Sequence, residues 1–61
     1  MIDWFRIIAD LERDYTQHQV GLVVGRNQST INRYKQGLTE PSYSVGVALL
    51  ILHAKQASKA V

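Results

Sequence analysis

A set of polar side chains, Gln28, Ser29, Asn32, Arg33 and Gln36, shares a helical register with two inward-facing residues, Ile31 and Tyr34. At about 100° per residue, Ser29, Asn32, Arg33 and Gln36 point away from that apolar pair, and Gln28 stands in the first turn, where it projects forward off the helix end. The chemistry open to such a face is the reading of base edges. Gln and Asn offer a paired acceptor and donor that match adenine in the major groove. Arg matches guanine, and Ser serves either way. The first-turn amides at Asn27 and Gln28 are also placed to hold a phosphate. The same residue types make an ordinary solvated helix face, so the register matters more than the composition.

That register is built from local signals. Thr16 precedes an apolar-periodic segment, with Gln19 three residues later. This is the pattern of a capping box and predicts a helix from about Gln17. Val20 and Val24 share one face of it. Gly25 stops the helix, because it tolerates the left-handed backbone that other residues resist. Asn27 is a good N-cap for the helix carrying the polar face, and Gly37 closes that helix.

Other chemistry finds little footing. His18 and His53 fall on different helices with no evident carboxylate or cysteine partner, which suits surface or boundary positions. Asp10, Glu12 and Asp14 alternate along one helix and do not share a face, unlike the ligands of a metal site. No phosphate-binding glycine loop is present. Cysteine is absent, which excludes disulfides and thiolate zinc sites. The expectation is therefore a protein that is not an enzyme, with no cofactor, no metal and no small-molecule substrate.

The chain has 61 residues, enough for one small domain over 1–61. Such a domain buries only about 60% of the surface its unfolded chain exposes. Net charge is +2, unevenly placed. Met1–Tyr15 carries Asp3, Asp10, Glu12 and Asp14 against Arg6 and Arg13, a net of −2. Thr16–Val61 carries Arg26, Arg33, Lys35, Lys55 and Lys59 against Glu40, a net of +4. That dipole would orient the central helices toward a polyanion. The apolar run Val45–Ala54 is about half the length needed to span a bilayer, so no membrane association is expected. Asp3 and Arg6 interrupt the N-terminal apolar residues, no signal peptide is evident, and a cytoplasmic location fits.

Around the centre, Asp3 is placed to cap a first helix over roughly Trp4–Asp14. Its stripe is Trp4, Ile8, Leu11 and Tyr15, flanked by Phe5 and Ile7. After Gly37 comes a turn, Leu38–Pro41, since proline cannot continue a helix and biases Glu40 away from helical backbone. Ser42 or Ser44 caps a last helix from about Tyr43 to Ala57, with a core stripe of Val45, Ala48, Leu49 and Leu52. Val47, Leu50 and Ile51 widen that stripe beyond one face, which predicts a self-association surface, with Gly46 allowing close helix approach. The tail Lys55–Val61 is polar and expected to fray.

From Thr16 to Leu52 the chain resembles the lambda-repressor-like, Cro-type helix-turn-helix family of phage and bacterial regulators. The resemblance rests on Gln17, Gly21, Gly25, Gln28, Ser29, Ile31 and Asn32 at the family's spacing, on the string QSTIN, and on Gly37 and Pro41-Ser42 before an apolar helix. Trp4–Tyr15 fits as the family's first helix. The resemblance implies an all-α, compact bundle of four or five helices with a central helix-turn-helix. It also implies a homodimer on a two-fold-symmetric operator in double-stranded DNA, with recognition helices roughly 34 Å apart. By position, Gln28, Ser29, Asn32 and Arg33 match base-reading places, and Gln17, Asn27 and Lys35 match phosphate-contacting ones. Arg26 stands where the family is usually apolar and is assigned to a phosphate. Leu22 and Val23 stand where it is often polar, which points to an interface or a rotated second helix. The other function consistent with these features is a protein-interaction module, such as an antitoxin or a DNA-packaging component, whose apolar last helix binds another protein.

Overall fold

The computed structural model describes residues 2–59. Among them are four helices and no strand: α1 Trp4–Leu11, α2 Gln17–Val24, α3 Gln28–Gln36 and α4 Tyr43–Lys59. The chain is all-α, at the lower of the two expected helix counts.

The caps form as the local chemistry dictates. The Asp3 carboxylate accepts from the Arg6 amide at 3.1 Å and starts α1. At α2 both arms of the capping box close: the Gln19 amide donates to Thr16 Oγ1 at 3.0 Å, and the Thr16 amide donates to Gln19 Oε1 at 2.8 Å. Gly25 ends α2 at φ 78, and Gly37 ends α3 at φ 76. Beyond α3, the amides of Gly37 and Leu38 return to the carbonyls of Tyr34 and Arg33, the paired bonds of a Schellman ending. The first bond of α4 runs from Gly46 to the Ser42 carbonyl, so Ser42, not Ser44, occupies the N-cap.

α1 stops at Leu11, short of the expected Asp14. The amides of Arg13 and Asp14 bond three residues back, to Asp10 and Leu11, so the chain tightens into turns after Glu12. The cause lies just ahead. Thr16 must be extended (φ −77, ψ 161) to cap α2, and the helix has to unwind before it. At the other end α4 runs to Lys59, past the expected Ala57. The frayed tail was expected over Lys55–Val61. Lys55–Lys59 is helical, and Ala60 and Val61 lie outside the described residues.

The core is Ile8 and Leu11 of α1, Val20 of α2, Ile31 and Tyr34 of α3, and Val45, Leu49 and Leu52 of α4. Trp4, Ile7, Tyr15 and Val24 pack against it, half-buried. α1 and α2 each touch both α3 and α4. Two expectations change. Phe5 does not flank the core but is 58% exposed. Gly46 admits close approach within the chain: a β-carbon there would lie 3.3 Å from the Trp4 ring of α1, so its contact is not reserved for a second copy. In α2, Val20 and Gly21 are buried while Leu22 and Val23 are 70% and 59% exposed.

Candidate nucleic-acid interface

α2 and α3 meet through Gly25, Arg26 and Asn27. The joint is tight because the Gly21 carbonyl accepts from the amides of both Gly25 (2.8 Å) and Arg26 (2.9 Å). A β-carbon on Gly21 would collide with the Arg26 carbonyl oxygen, so this place in α2 requires glycine. Asn27 then opens α3 with one oxygen. Its Oδ1 accepts from the Thr30 amide (2.9 Å), the Thr30 hydroxyl (2.7 Å) and the Ser29 hydroxyl (3.0 Å). The first turn of α3 is thereby fixed by contacts within the chain.

With Ile31 and Tyr34 in the core, Gln28, Ser29, Arg33 and Gln36 are exposed. Asn32 is half-buried on the flank toward α2, its Oδ1 3.5 Å from Gln17 Nε2, a contact at the limit of hydrogen bonding. A groove between the N-terminal ends of α2 and α3 is lined by Gln17, His18, Asn27, Gln28, Ser29 and Asn32. Gln28, Ser29 and Asn32 therefore meet at this groove, while Arg33 is exposed in the last turn of α3 and does not line it. Ser29 spends its proton on Asn27 and presents its lone pairs outward.

The expected phosphate contacts divide. Arg26 and Asn27 are exposed at the joint, with Arg26 Nη1 donating to the Gly25 carbonyl at 2.9 Å. Gln17 and Lys35 are engaged elsewhere. Gln17 Nε2 donates to Glu12 Oε2 at 2.8 Å, and Lys35 Nζ pairs with Glu12 Oε1 at 2.5 Å. Lys35 also stands over the Phe5 ring, 5.5 Å from its centroid. The hydrogen bond from Lys35 holds the Glu12 carboxyl below its ordinary range. Gln17 adds to this, and partial burial opposes it. Among the described residues no carboxylate pairs with Arg26 or Arg33.

Two features escaped the sequence. Glu12 belonged to an alternating acidic run, yet its carboxylate ties the end of α1 to α2 and α3. Nothing in the spacing of Glu12 and Lys35 signals that pairing. His53 does have a carboxylate partner: its Nε2 lies 2.9 Å from Asp10 Oδ2. Their helices are distant in sequence and meet only when α4 packs on α1. Hydrogen bonding to His53 lowers the Asp10 pKa. Beside them Gln56 donates to the Asp10 carbonyl and to Asp14 Oδ2, so the cluster fastens α4 to the end of α1. No three histidine or acidic side chains among the described residues are placed to hold a metal ion.

α4 leaves Val47 half-buried and Leu50 and Ile51 exposed, by 38% and 52% for the last two. No described helix is long and apolar enough to cross a membrane. Compared with known protein families, curated proteins and solved structures, the chain matches none of them.

Proposed function

We propose that the protein is a sequence-specific regulator of transcription that binds double-stranded DNA, laying α3 in the major groove as a Cro-type repressor does. One observation carries this reading. Gln28 and Ser29 in the first turn of α3, Asn32 in its middle and Arg33 in its last turn lie along the side opposite Ile31 and Tyr34, on a helix held at its start by the Asn27 cap. Hydrogen-bonding side chains along the outer side of a helix held in place by its core contacts and cap are what base-edge reading needs. Arg26 and the Asn27 and Gln28 amides stand beside them for the flanking phosphates. In a two-fold-symmetric dimer joined through Val47, Leu50 and Ile51 of α4, two copies of α3 would address successive major grooves. The bound dimer would cover a promoter and exclude polymerase, acting in the cytoplasm of a bacterial host.

Selection from a random duplex library at about 0.15 M salt tests the reading. An inverted repeat with half-site centres about ten base pairs apart is expected. Against the selected site, Asn32→Ala should lose about 1–3 kcal/mol of discrimination at one base position while keeping its affinity for random duplex. Equal losses on both DNAs would remove Asn32 from base reading.

The second reading, a module that binds another protein, is favoured by the exposure of Leu22 and Val23 on α2 together with Ile51 on α4. A stoichiometric protein partner that co-purifies with the endogenous chain, combined with no enriched duplex, would decide for it.

A further inference from the structure

On the DNA-binding reading, Lys35 is a cation at the edge of the recognition helix and should bind a phosphate. The structure gives it another partner. Its ammonium is 2.5 Å from Glu12 Oε1, and the Phe5 ring lies beneath it. Both charged side chains are largely covered, at 24% and 28% exposure, so water screens the pair less than it would two free surface groups. The other carboxylate oxygen of Glu12 accepts from Gln17 at 2.8 Å, which removes a second donor from the same edge. A DNA phosphate would have to displace Lys35 from this carboxylate and leave Glu12 negative beside the DNA backbone.

We propose that Glu12 sets how strongly the protein binds DNA without regard to sequence, by withholding Lys35 and Gln17 from the phosphates. In the wild type Lys35 is silent in the phosphate contacts, and Arg26 and Arg33, which have no carboxylate partner among the described residues, supply the free cations of this face. Sequence-independent affinity then stays low and the base contacts of α3 weigh more in the total. This rests on the DNA-binding reading. What it adds is which basic residue does not count, and why.

Each protein cation placed on a phosphate adds about 0.9 to the slope of log affinity against log salt. Between about 50 and about 200 mM salt, one added contact therefore steepens the fall in affinity by roughly 3.5-fold. The experiment is a salt titration of binding to a random-sequence duplex by fluorescence anisotropy. It compares the wild-type chain with Glu12→Gln, Lys35→Met and the double variant, each checked for folding by circular dichroism. Glu12→Gln removes the charge and keeps one of the two acceptor oxygens that Lys35 and Gln17 use. Its expected result is tighter binding at about 50 mM and a slope steeper by about one. Lys35→Met alone should leave the slope at the wild-type value, and the double variant should return to it.

A flatter slope for Lys35→Met alone would show that Lys35 already meets a phosphate and would overturn the proposal. So would a Glu12→Gln slope equal to that of the wild type. If Glu12→Gln does not fold, the Lys35→Met arm still decides by the same criterion. No retention of the wild type on any duplex would overturn both the DNA-binding reading and this inference. Retention with the wrong pattern among variants overturns the inference alone.

Discussion

Gly21 and Glu12 show how single residues act here through space rather than through local preference. Gly21 sits in a helix with ordinary backbone angles, where alanine would normally be better by about 1 kcal/mol. Its neighbour across the joint is a backbone carbonyl, which cannot rotate away. Gly21→Ala should therefore destabilise the fold by about 1–3 kcal/mol, as overpacking does, measured by urea unfolding. Gly46→Ala should cost less, because the atom in its way is the end of the Trp4 ring and alanine suits helical backbone better. Glu12 makes a prediction about pH. Its carboxyl pKa is depressed in the folded chain, chiefly by Lys35, from an ordinary value of 4.5. A depressed pKa gives stability that is present above the unfolded value and lost as pH falls through the folded one. Between about pH 6 and about pH 3, wild-type stability should drop more than that of Glu12→Gln, by urea unfolding at each pH. Asp10, lowered by its bond to His53, contributes in the same direction.

The helices follow their end signals closely. Thr16 with Gln19, Gly25, Asn27 and Gly37 were all legible as caps, because each acts within a few residues and needs no partner from elsewhere in the chain. Asn27 is the most consequential, since one oxygen takes three donors and fixes the turn that carries Gln28 and Ser29. Asn27→Ala should cost about 1–2 kcal/mol of stability in a thermal melt followed by circular dichroism. Asn27→Ser should recover most of that loss. The end of α1 was not legible. Glu12, Arg13 and Asp14 are acceptable helix residues, and only the extended backbone that Thr16 requires makes the helix unwind before them. The far end of α4 runs past Ala57 for a related reason: polar residues such as Lys55 and Gln56 signal no stop by themselves, and Gln56 is held by Asp10 and Asp14.

For the whole molecule, the eight buried apolar residues of the core draw on all four helices, leaving the polar side of α3 and the outer side of α4 to solvent. The radius of gyration, 10.5 Å, is what a compact chain of this length should have. Small domains gain stability from association when they have no disulfide or metal. On the proposed reading that association uses α4. Sedimentation equilibrium should then show a concentration-dependent dimer, and Ile51→Lys should shift it to monomer with an unchanged circular dichroism spectrum, since Ile51 is 52% exposed and outside the core. Dimer formation unaffected by Ile51→Lys would remove α4 from that role.

The sequence by itself determined the four helices, the caps at Asp3, Thr16, Gly25, Asn27 and Gly37, the inward stripe and the polar face of α3, because hydrophobic period and capping are interactions among residues a few positions apart. The core residues Ile8, Leu11, Val20, Ile31, Tyr34, Val45, Leu49 and Leu52 all lay on the expected stripes. Only the tertiary structure decided which charges stay free. Lys35 and Arg33 are close neighbours of one sign in the sequence, yet Lys35 is held by Glu12 over Phe5 while Arg33 faces solvent. The same holds for His53 and Asp10, which meet because α4 packs on α1. Charge pairing depends on distances across helix interfaces, and those are set by the crossing of whole helices rather than by any spacing along the chain.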